Sequence, residues 1–199
     1  MAVVSIVGKV DKRIVVLPLV RACSIDGRTI VYTDDSNLKN ICLGRHDFVS
    51  KENLEIRYDL SPEELNQESM EDGFIKHIFY VYSDYKLQDA DVVIVCENYK
   101  RNTQSEIGRV CEDTEYGVEK QENVKEIFFS LTPLKKVPNV IVLRPEYYNY
   151  LLETEEKKEL LILKDKTMNR LLADIMNEKI DMSKDHFLKL LSRKRTQIS

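Results

Sequence analysis

Short apolar runs alternate with helix-like segments along residues 1–146. Two of these runs, 92–96 and 140–143, contain no polar residue, whereas a strand with one face in water alternates apolar and polar positions. Strands that are apolar throughout are typical of parallel sheets in which helices cover both faces. The pattern therefore predicts an α/β fold with three layers, in which a mostly parallel central sheet lies between helices and further helices follow at the C-terminus.

The same pattern gives approximate bounds for the strands and helices. Pro18 is compatible with a helix only in the first turn or at a kink, so we expect the first helix to begin near Val16 and to end at Gly27. Residues 102–131 have mostly helical spacing, and a strand over 126–131 is the alternative. The predicted strands cover 2–7, 28–35, 54–60, 74–84, 90–98 and 137–146, and the other predicted helices cover 36–43, 61–72 and the residues after Tyr147.

Composition and charge indicate one folded domain in a reducing compartment. The chain has 199 residues, 43% hydrophobic and 32% charged, and we expect a single domain over 1–199, with the sheet and its flanking helices in 1–150 and a helical segment in 151–199. A net charge of −4 predicts no general affinity for nucleic acid. No apolar run approaches the roughly 20 residues that cross a bilayer. The four cysteines lack C-x-x-C spacing and the three histidines lack metal-ligand spacing, so we expect reduced thiols, no zinc and a cytoplasmic location.

Charged residues follow the predicted strands at their carboxyl ends. In a doubly wound sheet this edge is where ligands bind, and a site for phosphate and a metal ion needs both basic and acidic groups. The alternative is that these residues are ordinary polar strand ends and helix caps. The segments in question are 8–13, 33–37, 83–86, 97–102 and 144–148.

The order of these segments resembles the MinD/ParA family of P-loop ATPases over most of the chain. The first strand leads into a loop and a helix, "GRTIVYTDD" is a strand that ends in Asp, and "HIFYVYSD" ends in Asp84. "DADVVIVCENYK" places Asn98 after an apolar strand, and "VIVLRPE" ends in a Pro-acid turn. The resemblance implies a P-loop NTPase-like fold, with ATP or ADP and Mg²⁺ as the cofactors of an active member.

The resemblance also implies which residues would act. An active enzyme would use Lys12 and Asp84 in catalysis, and Asp34 and Asp84 would lie near Mg²⁺. The implied nucleotide-binding residues are Gly8, Lys9, Lys12, Asp34, Asn98, Pro145 and Glu146.

The phosphate loop departs from the family pattern. Such a loop needs glycines that expose backbone N–H groups, a lysine for the phosphates and a Ser/Thr hydroxyl for magnesium. By the family's spacing, Val10, Asp11 and Lys12 occupy the positions of Gly, Lys and Ser/Thr, and the additional lysine of the family falls near Ser5. At 4 Å and an effective dielectric of about 20, Asp11 would repel each phosphate charge by about 4 kcal/mol. We therefore expect no orthodox P-loop catalysis.

Three functions are compatible with this sequence. The leading prediction is a degenerate MinD/ParA-like domain without ATP hydrolysis, which acts as a protein-interaction or assembly scaffold and forms a homodimer through the face that holds nucleotide in the family. The second is a nucleotide-binding protein or slow ATPase with an atypical loop that uses Lys9 or Lys12 together with Asp84. The third is a plain α/β interaction module. Tyr147, Tyr148 and Tyr150 lie near the predicted ligand edge, as a contact surface or as half-buried packing residues.

The C-terminal tail carries a separate signal. A basic amphipathic end is able to lie on an anionic membrane, and MinD proteins carry such a tail, so peripheral contact with the inner face of the membrane is one interpretation. The alternative is an ordinary last helix whose apolar residues pack onto the sheet. The candidate membrane-contact residues are Phe187, Leu190, Leu191, Arg193 and Lys194.

Overall fold

A computed structural model describes residues 1–39, 53–58, 75–83, 90–99, 124–134, 137–157, 159–180 and 182–193. Within these residues the chain forms seven strands and five helices. The strands are β1 (Ala2–Val7), β2 (Thr29–Thr33), β3 (Leu54–Tyr58), β4 (His77–Tyr82), β5 (Val92–Asn98), β6 (Val124–Ser130) and β7 (Val140–Val142). The helices are α1 (Arg13–Asp26), α2 (Ser36–Lys39), α3 (Pro145–Lys157), α4 (Lys166–Ile180) and α5 (Lys184–Ser192).

All seven strands join one parallel sheet in the order β3-β2-β4-β1-β5-β6-β7. From β1 the chain continues to β2 and β3 on one side, returns to place β4 between β2 and β1, and then adds β5, β6 and β7 on the other side. The predicted α/β fold with a parallel central sheet is thus confirmed. β1 lies where the direction of winding reverses, and in doubly wound sheets ligands bind beyond the carboxyl ends of the strands at such a point.

Both faces of the sheet are buried. Val4 and Ile6 of β1 belong to the same core cluster as the apolar residues of α1, α3, α4 and α5. On the opposite face, Ile30, Tyr32 and Tyr80 belong to a second cluster, in which the rings of Tyr32 and Tyr80 stack with their centroids 5.3 Å apart. Since successive side chains of a strand point to opposite faces, a strand buried on both faces has no polar side, and this explains the uniformly apolar runs.

Helix α1 begins three residues earlier than the proline predicts. The N–H groups of Val15 and Val16 donate to the carbonyl of Lys12 at 2.9 and 3.0 Å, so the first turn already forms at Arg13. Pro18 lies inside the helix, where it removes the hydrogen bond to the carbonyl four residues earlier and its ring crowds that carbonyl. The burial of nearly the whole of α1 outweighs this local cost. The predicted end of the helix at Gly27 is confirmed.

The predicted C-terminal helices are present as α3, α4 and α5, but residues 159–165, which fall in the range predicted to be helical, are not helical. Arg21 of α1 connects this segment to the rest of the core. Its guanidinium, only 3% exposed, donates to the carbonyl of Leu160 at 3.1 Å and to the carbonyls of Leu190 and Leu191 at 3.3 Å. It also donates to the carbonyl of Arg193. The last carbonyls of a helix lack partners within the helix, so Arg21 supplies the donors that the end of α5 needs.

The segment 124–130 settles one alternative that the sequence left open. It forms strand β6, so the helical interpretation of this part was wrong and the strand alternative was right. β6 pairs with both β5 and β7 and places Ile127 and Phe129 in the main core cluster. The predicted helices over 61–72 and 102–123, and the part of the predicted 36–43 helix beyond Lys39, lie outside the described residues.

Candidate site at the carboxyl edge of the sheet

Gly8 follows β1 and is the one glycine of the predicted phosphate loop. Its φ is +139°, a backbone conformation that favours glycine. A Cβ atom at this position would lie 2.1 Å from the carbonyl oxygen of Cys96, so a larger residue would collide with the backbone of β5. The close approach of two strands is therefore sufficient to explain this glycine, without any role in binding phosphate.

Lys12 is the last residue before α1 and is only 1% exposed. Its Nζ donates to the carbonyl of Gly8 at 2.9 Å and forms an ion pair with Asp35 Oδ2 at 3.1 Å. The Asp35 side chain is itself only 6% exposed. Lys12, which the resemblance implies as a phosphate-binding residue, is thus paired with Asp35 inside the protein. The pair lies at the carboxyl edge of the sheet, beside the N-terminus of α1.

The turn after β2 is bonded to the end of β4. The Thr33 hydroxyl donates to the carbonyl of Val81 at 2.7 Å and accepts from the N–H of Asp35 at 2.9 Å. The N–H of Ser83 donates to Asp34 Oδ1 at 3.2 Å. Burial raises the pKa of Asp34, although this hydrogen bond and the nearby charge of Lys12 act in the opposite direction. Asp84, the candidate for catalysis and for Mg²⁺, lies outside the described residues.

Asp11 is paired with Arg13, which changes the electrostatic argument made from the sequence. Arg13 Nε donates to Asp11 Oδ1 at 2.9 Å and Nη2 donates to Oδ2 at 2.6 Å. Arg13 also donates to Glu155 of α3. Burial alone would raise the pKa of Asp11, but the hydrogen bonds and charge of Arg13, helped by Lys12, outweigh it and lower the pKa. The carboxylate is ionised but largely neutralised, so about 4 kcal/mol overstates its repulsion of a phosphate.

The other nucleotide-binding candidates lie along the same edge. Lys9 is exposed in the loop after β1, and Asn98 is the exposed last residue of β5, the strand beside β1. Pro145 and Glu146 begin α3, after β7. Because neighbouring strands lie about 4.8 Å apart, β7 is roughly 14 Å from β1. The structure therefore brings Gly8, Lys12, Asp34 and Asp35 together, with Asn98 beside them and Pro145 and Glu146 farther along the edge.

Two pairings at this edge were not predicted from the sequence. Neither Asp35 as the partner of Lys12 nor Arg13 as the partner of Asp11 was predicted. Arg13 carries the opposite charge two residues after Asp11, at the start of a helix, and this spacing is a local signal for the pair. The pair formed by Lys12 and Asp35 has no such signal, because it depends on the sheet placing β1 and β2 on either side of β4.

The three apolar tail residues proposed for membrane contact are buried in the core, whereas membrane contact requires them to be exposed. Phe187, Leu190 and Leu191 of α5 are buried in the main core cluster, at 0%, 4% and 4% exposure. Arg193 is exposed, and Lys194 lies outside the described residues. In this fold the three apolar side chains hold α5 against the core, so they are not available to a membrane. No helix in the described part of the chain is long and apolar enough to span a membrane.

A second polar cluster lies at the amino edge of the sheet, opposite the candidate site. Asp26 accepts from Lys76 Nζ at 2.7 Å, from His77 Nε2 at 2.9 Å and from His186 Nε2 at 3.1 Å. Burial by itself would raise the pKa of Asp26, but these three hydrogen bonds lower it to about 2. The cluster borders a cavity of about 330 Å³ and ties the end of α1 to β4 and α5. Within the described ranges, no group of three or more His, Cys, Asp or Glu side chains is placed to hold a metal ion.

Comparison with known proteins adds no family to this description. No protein-family model matches the chain, and no curated protein matches it significantly. The function therefore has to be argued from the residues and the fold.

Proposed function

We propose that this chain is a MinD/ParA-like domain that does not hydrolyse ATP and acts in the cytoplasm as a protein-interaction or assembly scaffold, including self-association. The observation that supports this most is the internal ion pair of Lys12 with Asp35. A lysine that already serves a buried carboxylate is not poised to stabilise the phosphates of a nucleotide.

The energetic cost of freeing Lys12 supports the absence of hydrolysis. Breaking a buried ion pair by removing one partner costs about 3–5 kcal/mol, because the other charge remains buried without compensation. A phosphate that replaced Asp35 would meet the buried carboxylate at close range. The loop 9–13 also contains no glycine and no Ser or Thr hydroxyl, so it offers neither a flexible backbone cradle nor the usual magnesium ligand.

The fold supports the family part of the proposal. A parallel sheet with a loop and a long helix directly after β1 agrees with what the resemblance implies. Two buried thiols, Cys23 and Cys96, support a reducing compartment. Burial raises the pKa of Cys96 to about 12, so this thiol stays protonated and unreactive at neutral pH.

The test compares the melting temperature and phosphate release of the full chain with and without ATP and Mg²⁺. We expect no turnover and an unchanged melting temperature. A ligand at 100 times its dissociation constant stabilises a protein by about 2.7 kcal/mol, which is roughly 5–10 °C for a domain of this size. Phosphate release above the blank that Asp84→Ala abolishes would overturn the proposal.

Nucleotide binding without hydrolysis is the second candidate. It is favoured by the convergence of Gly8, Lys12 and Asp34 beside the N-terminus of α1. It predicts a rise in melting temperature with ATP or ADP and no phosphate release. Lys9→Ala is the informative variant, because the exposed Lys9 is able to reach a ligand without breaking the ion pair of Lys12 with Asp35. If the second candidate is correct, the rise in melting temperature should be smaller in Lys9→Ala.

A further inference from the structure

Exposed apolar side chains are concentrated near the last strand and the helix that follows it. Of the large hydrophobic residues that the described part of the chain exposes, all but Met1 lie between 131 and 152. Tyr148 is 65% exposed and Leu152 is 38% exposed, and both lie on α3. Apolar groups clustered at one place on a surface often mark a contact with another protein.

These two residues form part of a stripe with a particular order of charges. Tyr148, Leu152 and Glu156 are spaced four residues apart on the outer face of α3, and Arg144, the residue directly before the helix, continues this spacing, so the four form one ridge. Arg144 is 56% exposed, with its Nη1 3.7 Å from Asp165 Oδ2, and Glu156 is also exposed. The ridge is therefore basic at its start, apolar in the middle and acidic at its end. The opposite face of α3 is buried through Tyr147, Tyr150, Leu151 and Thr154.

The ridge is complementary in charge to a second copy of itself that runs in the opposite direction. If two copies of α3 pack antiparallel about a two-fold axis level with Tyr150, Tyr148 faces the partner's Leu152 and Arg144 faces the partner's Glu156. A two-fold interface contains each such contact twice, because the same patch is used on both subunits. A parallel arrangement would place Arg144 on the partner's Arg144 and is disfavoured.

We propose that the ridge formed by Arg144, Tyr148, Leu152 and Glu156 is a self-association surface through which two copies of this chain pair antiparallel. Ridges of residues four apart pack into one another at a crossing angle of about −50°. At 1.5 Å per residue, the ridge is about 18 Å long from Arg144 to Glu156. The two pairs of Arg144 with the partner's Glu156 therefore lie at the rim of the interface, and the apolar residues lie at its centre. Tyrosine is among the residues that contribute most at interface centres.

This inference rests on the self-association part of the proposed function, but it uses a surface other than the carboxyl edge. The test is sedimentation equilibrium of the full chain across a concentration series. Arg144→Glu and Glu156→Arg should each weaken the dimer about tenfold or more, since each places like charges opposite one another at two symmetry-related positions. The double variant restores opposite charges and should return the dissociation constant to within about threefold of the wild type.

A matched control uses the neighbouring exposed pair on the same helix. Glu153 and Lys157 form an ion pair at 3.1 Å within α3 and lie off the ridge, so the double reversal Glu153→Lys/Lys157→Glu should leave the dimer unchanged. Tyr148→Ser should weaken the dimer about tenfold or more.

Three results would overturn the inference: a monomer at all concentrations, no recovery in the Arg144→Glu/Glu156→Arg variant, or an equal loss in the control. If the chain is a monomer and its melting temperature does not change with ATP, the inference fails but the proposed function as a scaffold that binds other proteins still holds. Phosphate release, in contrast, would remove the proposed function without touching the dimer measurement.

Discussion

The ion pair of Lys12 with Asp35 makes a prediction that tests the central argument directly. At 3.1 Å and an effective dielectric of about 20, Coulomb's law gives an attraction of about 5 kcal/mol between the two charges. Both side chains are almost fully buried, so the removal of either one leaves the other charge without its partner. We therefore expect Lys12→Met and Asp35→Asn each to lower the free energy of unfolding by about 3 kcal/mol.

The double variant separates the interaction from the individual side chains. Removal of both charges leaves no uncompensated charge, so the loss in Lys12→Met/Asp35→Asn should be smaller than the sum of the single losses by about 2 kcal/mol or more. The measurement is urea unfolding followed by far-ultraviolet circular dichroism, with the free energy extrapolated to water. The exposed ion pair of Lys157 with Glu153, also at 3.1 Å, is the matched control, because the effects of Lys157→Met and Glu153→Gln should be additive to within about 1 kcal/mol.

Small and additive losses would show that Lys12 and Asp35 are not a buried pair in solution. If the two single variants each cost less than about 1 kcal/mol and their effects add, the pair behaves as a hydrated surface pair. Lys12 would then be free to meet a phosphate at little cost, and the main argument against nucleotide chemistry would be lost.

Three further predictions follow from other parts of the structure. Gly8→Ala should destabilise the fold by about 3 kcal/mol or more in the same urea assay, because the added methyl meets the backbone of β5 and the residue keeps a positive φ; a loss below about 1 kcal/mol would contradict the close approach. Burial lowers the pKa of His77 below its ordinary 6.5, although the hydrogen bond and charge of Asp26 act in the opposite direction. His77 therefore contributes stability that is present above pH 6.5 and is lost as the pH falls below 6.5. Unfolding free energies measured between pH 7.5 and 4.5 should fall more steeply for the wild type than for His77→Gln, and equal slopes would contradict this assignment. Arg21→Met should cost about 3 kcal/mol and raise amide hydrogen exchange in α5 more than in β1, because it removes the side-chain donors to the carbonyls of Leu190 and Leu191 at the end of α5; uniform exchange would show that Arg21 does not hold this helix.

Most strands could be predicted because each is rich in apolar, mainly β-branched and aromatic, residues. β2, β4 and β5 fall inside their predicted ranges, and β1 matches its range. β6 was harder, since the apolar positions of 124–131 fit both a helix and a strand, and only pairing with β5 and β7 selects the strand. The start of α1 was missed for a similar reason, because tertiary burial outweighs the local preference of Pro18.

The candidate site was predicted only in part. Gly8, Lys12 and Asp34 do meet at the carboxyl edge, which follows from the parallel order of strands inferred from the sequence. The partner of Lys12 was not predicted, because Asp35 is 23 residues away along the chain and reaches it only through the packing of the sheet. The apolar residues of α5 have the same periodicity whether they face a membrane or a core, so their burial against α1 was equally open.

The sequence by itself determines that this chain forms a parallel α/β sheet and that its loop after β1 lacks the glycines and hydroxyl of a working phosphate loop. Both conclusions depend on residue type and local spacing, which the chain carries without reference to its fold. The tertiary structure alone decides how charges remote in sequence are paired: Lys12 pairs with Asp35, Arg13 also donates to Glu155, and Arg21 donates to carbonyls at the end of α5. Electrostatic pairing depends on distances of a few ångströms between segments remote in sequence, and those distances exist only once the sheet has formed.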